Sequence, residues 1–260
     1  MNKFTTYEHS ASAFNYFFNK NHFLILFISL VVIIFFSMYA QRQKTKFQKG
    51  FVFIVGIIIV ILEALRIYWR YGYLNYHNQS LDFLNVVGLD FFTLSLWISI
   101  PLIFLGAMLK KKKLHNVFGL NFVFSVTMLA GIITLIYPEG INPNFDFYHC
   151  YNLIFTLLRS LVIMLSLFFA FARWILVAEF LDLWKSFISL VFFGIICVAI
   201  SYFVGFEHNL FYTSYCPIFE SLGIYLEFPY HLIVLGTFLF VFQTVIYLPF
   251  RIHRKIKKKY

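Results

Sequence analysis

The strongest constraint in this sequence is a repeated length. Apolar runs of about 20 residues recur along the chain, and each is long enough to cross a hydrocarbon layer of ~30 Å. Seven are read: His22 to Ala40, Phe51 to Trp69, Phe83 to Leu109, Leu114 to Tyr137, Tyr151 to Ala172, Ser186 to Phe206 and Tyr230 to Phe250. Backbone polar groups find no water in lipid, so such runs must close their hydrogen bonds internally and form helices. Composition points the same way. The 260 residues are 61% hydrophobic and 12% charged, with 37 Phe, whereas soluble domains carry about a quarter charged residues. A soluble chain of this length has too little interior to hide that much apolar surface. The expected fold class is therefore an all-α membrane protein, a seven-transmembrane-helix bundle. The third run is expected to be the least regular, because Gly88, Asp90 and Pro101 interrupt it.

A polar segment of about 21 residues precedes the first run, and no small-residue cleavage site follows it. That run is read as a true span and not as a signal peptide. Orientation follows from Lys and Arg in the connections. The segments after the first, third and fifth runs, together with the C-terminal "RIHRKIKKKY", carry sixteen of them, and the opposite side carries three, Lys3, Lys20 and Arg70. This alternation predicts the N-terminus outside and the C-terminus inside. The expected organisation is an extracytoplasmic segment 1–21, one membrane domain 22–250 and a basic cytoplasmic tail 251–260, in a multi-pass plasma-membrane protein. Topology and anionic headgroups account for the net charge of +10, so no nucleic-acid partner is expected. Membrane lipids are the expected partners, and further membrane proteins are left open.

Cys197 reads as packing in the sixth run, while Cys150 and Cys216 both fall on the outside, where the sequence does not fix whether they pair. No HExxH, CxxC, Walker A or GxGxxG pattern is present, so no metal site or cofactor is expected.

The residues that need explaining are charges inside the runs. Glu63 and Arg66 lie three apart in "ILEALRIYWR", Asp90 in the third run and Arg159 in "LIFTLLRSLVIM". A charge at the centre of a membrane helix costs roughly 2.5–3.5 kcal/mol even on the gentler scales. With the expected topology all four fall in the outer half, from ~5 Å deep for Arg66 to ~12 Å for Arg159 at 1.5 Å per residue. His231 stands at the outer edge, where it and His149 and His208 are candidates for proton chemistry or for interfacial hydrogen bonding. Glu63 and Arg66 share a helix face and can form a local salt bridge. Asp90 and Arg159 have no local partner, so they are expected to meet across the bundle. The reading that joins them is an outer-half polar cavity lined by Glu63, Arg66, Asp90, Arg159 and His231, with Asp90 the candidate catalytic residue. Purely structural charge pairing is the competing reading.

Several motifs carry a resemblance. They are "EALRIYW" (Glu63, Trp69), "IYPEG" (Pro138, Glu139), "EHNLFYT" (Asn209) and a closing run that begins Pro229-Tyr230 and ends Tyr247 to Phe250. In order and spacing, from about residue 20 to 250, the chain resembles the bacterial YwaF-like membrane proteins, relatives of the animal transmembrane protein 164 family. The resemblance implies seven membrane helices and a lipid-handling role, since the animal relative is regarded as a cysteine-dependent phospholipid acyltransferase. It also exposes a departure. The family's third helix carries a Leu-Pro-Leu-His/Gln-Leu-Cys motif, and the stretch here is "FLNVVGLDFFTLS", with Asp90 about where the Cys would be. Arg159 stands near the position of a family His in the fifth helix. Acyl transfer through a thioester needs a thiolate and a base, and this chain lacks both at those positions.

Two function classes stay open. One is a lipid-handling protein, either a divergent phospholipid acyltransferase or an inactive, lipid-binding relative. The other is a small-molecule transporter or substrate-binding membrane subunit, for which broken helices near the midplane would speak.

Overall fold

A computed structural model gives the fold of residues 20–88, 90–109, 118–136, 149–175, 180–204 and 230–259. Within these, the side chains of residues 20–22, 25, 118, 119, 180, 181, 204, 231 and 253–259 are not described. The elements are helical throughout: α1 (Lys20–Gln41), α2 (Thr45–Tyr76), α3 (Phe83–Val87), α4 (Phe91–Met108), α5 (Phe118–Phe122), a π-helical turn (Val123–Thr127), α6 (Met128–Ile136), α7 (Cys150–Phe171), α8 (Phe180–Val204) and α9 (Tyr230–Lys259). Five stretches are long and apolar enough to cross a membrane: Thr45–Tyr76, Phe91–Met108, Cys150–Phe171, Asp182–Phe203 and Leu232–Ile252. Leu26–Gln41 and Leu120–Ile136 are shorter apolar helices. The chain is a multi-pass membrane protein.

The bundle is built around α7. It packs against α1, α2 and α6 and touches the π turn, and 67% of its apolar window is buried, against 22% for α9 at the rim. Its buried side includes Phe155, Leu158, Arg159, Val162, Ser166 and Phe169. On α2 the buried positions are Val52, Val55, Gly56, Ile59, Glu63, Arg66 and Trp69, a stripe at spacings of three and four. That spacing keeps one face of a 3.6-residue helix turned to the bundle. Gly56 lets α2 approach α4 closely, since a Cβ there would meet Ile103 and Phe104 at 3.3 Å. The outward faces of α1, α2, α8 and α9 are covered with exposed Phe, Ile, Leu and Val, as a lipid-facing surface requires.

Three element boundaries depart from the apolar runs, each for a physical reason. The second run extends in both directions, giving a helix of 32 residues, about 48 Å long. Its end beyond Trp69 is carried by Arg70, Tyr71, Tyr73 and Tyr76, which suit the membrane boundary. The third run is not one helix. It breaks at Gly88, with φ 60 and ψ 61, a left-handed conformation that ends helices and is costly for residues with a Cβ. Pro101, by contrast, lies inside α4 without ending it. The fourth run contains the π turn, closed by Met128 N–H donating to Val123 O. Hydroxyls tie this widened turn to the neighbouring helices. Ser166 Oγ donates to Val123 O at 3.2 Å, and Thr127 Oγ1 meets Ser99 Oγ at 2.5 Å and donates to Ser95 O at 3.3 Å. Asn121 opens this stretch, and its carbonyl accepts from Ser125 Oγ.

At the end where α1 turns into α2, Gln48 ties three segments together. Its Nε2 donates to Gln41 O and Gln43 O at 2.8 and 3.1 Å, and its Oε1 accepts from Trp174 Nε1 at 3.2 Å.

Candidate functional site

The site is assembled where α2 and α7 meet the break between α3 and α4. Glu63, Arg66 and Arg70 follow one another along α2 at helical spacing. Arg66 grips Glu63 with two bonds of 2.8 Å, Nε to Oε2 and Nη2 to Oε1. This fork-to-fork geometry is the strongest form of a side-chain ion pair. Trp97 Nε1, from α4, donates to Glu63 Oε1 at 2.8 Å, and Arg66 Nη2 also donates to Val87 O at 2.7 Å. Glu63 and Arg66 are 5% and 4% exposed. The charges the sequence places in a membrane helix thus point into protein. They neutralise one another, and a tryptophan and a backbone carbonyl add a further hydrogen bond to each.

The break itself is held by arginines. α3 is five residues long, so its last carbonyls have no intrahelical donor. Arg66 takes Val87 O, and Arg70 Nε takes Asn85 O at 2.5 Å. Arg70 also lies over Gly88 so tightly that a Cβ would fall 2.4 Å from its Nη1. The cations stand at the negative end of α3, as the helix dipole favours.

Asp90 begins α4. Its backbone is extended, at φ −125 and ψ 177, and its Oδ1 accepts from Thr93 N at 2.6 Å, an N-cap. Its Oδ2 faces Arg159 Nη2 of α7 at 3.8 Å. Arg159 is 1% exposed. Its Nε donates to Thr134 Oγ1 of α6 at 2.8 Å and its Nη1 to Phe155 O at 3.2 Å. The guanidinium lies between aromatic rings, 4.3 Å from the centroid of Phe92 and 3.0 Å from that of Phe155, in cation–π geometry. The two partners differ sharply in exposure: the Asp90 side chain is 41% accessible, that of Arg159 2%. A separation of 3.8 Å lies beyond the 2.7–3.2 Å range of an N–H···O bond. Asp90 Oδ2 therefore feels the charge of Arg159 without a direct hydrogen bond from it, and among the described residues it stays open to another donor.

The structure thus places four of the expected site residues in one neighbourhood: Glu63 and Arg66 as a sealed pair, Asp90 and Arg159 as a pair open on the Asp90 side. At Glu63 and Arg66, two of the five residues expected to line an outer-half cavity, the structure is packed protein. His231 lies at the start of α9, but its side chain is outside the described residues, as are His208, Cys216 and the Pro138-Glu139 and Asn209 motifs. His149 is buried and caps α7, its Nδ1 accepting from Tyr151 N at 3.3 Å, with its ring edge-on to Trp69 at 5.2 Å. Cys150 follows at the head of α7, and Cys197 is buried in α8. Among the described residues no group of three or more His, Cys, Asp or Glu could hold a metal ion.

Sequence reasoning missed Arg70, Trp97 and Thr134. Arg70 was legible, since it completes the series 63, 66, 70 on one helix face. Trp97 and Thr134 carried no signal, because each is chosen by a contact between distant segments.

No curated protein and no solved structure matches this chain. A family model described as the TMEM164 family matches residues 17–247. That match covers nearly the whole chain, from before α1 into α9, and this membrane protein belongs to the TMEM164 family.

Proposed function

We propose that this is a lipid-handling member of the family, of the YwaF-like bacterial type, in which Asp90 and Arg159 stand in place of a Cys/His pair. It crosses the plasma membrane seven times, with the N-terminus out and the C-terminus in. Five long apolar helices and two shorter ones support that count, and the uneven distribution of Lys and Arg supports that orientation. The membrane domain covers 22–250, between an outer segment 1–21 and a basic inner tail 251–260.

The observation that carries the functional reading is the open carboxylate of Asp90, backed by a buried guanidinium. One oxygen is fixed as a helix cap. The other accepts a hydrogen bond from a donor on a lipid headgroup, while Arg159 supplies the counter-charge from inside the bundle. Binding by this pair is non-covalent. A carboxylate nucleophile would give a mixed anhydride, and the nearby Thr134 hydroxyl is already engaged by Arg159 and by Ala130 O. Acyl transfer at this site would have to pass directly between two bound lipids, with Asp90 as general base.

The second reading, a transporter or substrate-binding membrane subunit, draws on the helix break at Gly88, because interrupted helices line many transport sites. Mass spectrometry of membrane lipids from cells overproducing wild type, Glu63→Gln or Asp90→Asn separates the two. The lipid-handling reading expects a shift in phospholipid composition that wild type produces and Asp90→Asn does not. Unchanged lipids at equal expression would overturn acyl transfer and leave transport or a binding role.

A further inference from the structure

A second feature lies on α1, away from the Asp90 cluster. One face of α1 packs into the bundle through Ile33, Ser37 and Ala40, all buried, with Ser37 Oγ donating to Met164 O of α7 at 3.0 Å. The opposite face borders a pocket of about 460 Å³ lined by Val31, Ile34, Phe35, Met38, Tyr39 and Arg42. That volume falls within the ~300–1,000 Å³ of ordinary ligand pockets. Its lining spans about 16 Å along the helix at 1.5 Å per residue. Five of its six residues present apolar surface. The sixth, Arg42, stands at its foot, exposed.

The foot is a polar landing. Tyr39 closes the groove in the last turn of α1, and Arg42 follows in the turn beyond it, its N–H donating to Tyr39 O at 3.2 Å. Among the described residues neither the Tyr39 hydroxyl nor the Arg42 guanidinium has a hydrogen-bond partner. The Tyr39 ring is held by neighbours, stacked on Phe35 at 6.4 Å and edge-on to Phe47 at 6.5 Å. Lys44 and Lys46, both exposed, follow in the turn into α2.

We infer that this groove is a binding site for one anionic glycerophospholipid, its acyl chain along Val31 to Met38 and its phosphate on Arg42 and Tyr39. The occupant follows from position and charge. An apolar groove inside a bilayer is filled by an acyl chain, and a chain ending at Arg42, beside two lysines, brings its headgroup to a cluster of positive charge. Each cation near the membrane surface favours an anionic over a neutral headgroup by about fivefold. The site lies on α1 and the turn after it, at the basic end, and it does not depend on the Asp90 reading, because its test changes only Val31 and Arg42.

Native mass spectrometry of the detergent-purified full chain, titrated with phosphatidylglycerol or with phosphatidylcholine of the same acyl chains, provides that test. The expected result is one phosphatidylglycerol per chain, preferred over phosphatidylcholine, with the preference falling about fivefold in Arg42→Gln. Val31→Trp, which fills the groove from a lipid-facing position, should weaken both lipids and leave the ratio between them. Equal binding of the two lipids by wild type would overturn the inference, and so would a phosphatidylglycerol preference that Arg42→Gln leaves undiminished. Either would reduce the groove to ordinary annular contact.

Discussion

At the scale of single residues, the chain resolves the problem of charge in a membrane by pairing it inside protein. Glu63 is held by two bonds from Arg66 and one from Trp97. Removing one partner of a buried pair leaves the other uncompensated, which costs about 3–5 kcal/mol. Glu63→Ala should therefore destabilise the detergent-solubilised protein by about that amount, seen as a lower unfolding midpoint. Glu63→Gln with Arg66→Met, which removes both charges at similar volume, should recover most of the loss. Additive penalties in that pair of variants would show that the two residues act independently. Arg159 is handled differently, by rings on two sides, a hydroxyl and a carbonyl, so its charge is retained in the core without a full hydrogen bond to Asp90.

At the scale of elements, the break between α3 and α4 sets the site. Gly88 turns the chain, Arg66 and Arg70 close the end of α3, and Asp90 opens α4. Asp90 thus has a structural duty and an exposed charge, and two substitutions separate them. Asn keeps an N-capping oxygen and Ala does not, and loss of a cap costs typically about 1 kcal/mol. Asp90→Ala should be less stable than Asp90→Asn by about that amount in the same unfolding assay, while both remove the carboxylate. Equal stability of the two would mean that the bond to Thr93 N contributes nothing. The Gly88 break was legible, because a glycine followed by a good N-cap interrupts an otherwise continuous apolar run. The π turn was not. Its sequence, "VFSVT", reads as ordinary helix, and only Ser99 and Ser166 on neighbouring helices reveal what accommodates it.

At the scale of the whole molecule, topology is the claim to test. Gln79 follows α2 and Lys46 begins it, and both are exposed. The seven-span reading puts them on opposite sides of the membrane. A cysteine introduced at Gln79 should react with a membrane-impermeant maleimide added to intact cells, and one at Lys46 should react only after permeabilisation. The reverse pattern would invert the orientation, and labelling of both from outside would mean that α2 does not span.

The sequence by itself determined the solvent and the helical class, since apolar run length is a property that each segment expresses alone. It also marked the residues that a membrane would make expensive, because a charge is costly in lipid whatever surrounds it. Partnership was decided only by the tertiary structure. Glu63 to Arg66 could be inferred from one helix turn, but Glu63 to Trp97, Arg159 to Thr134 and the 3.8 Å between Asp90 and Arg159 depend on how α2, α4, α6 and α7 are rotated and offset. That arrangement is fixed by packing across the bundle, through contacts such as Gly56 against Ile103, and no local spacing encodes it.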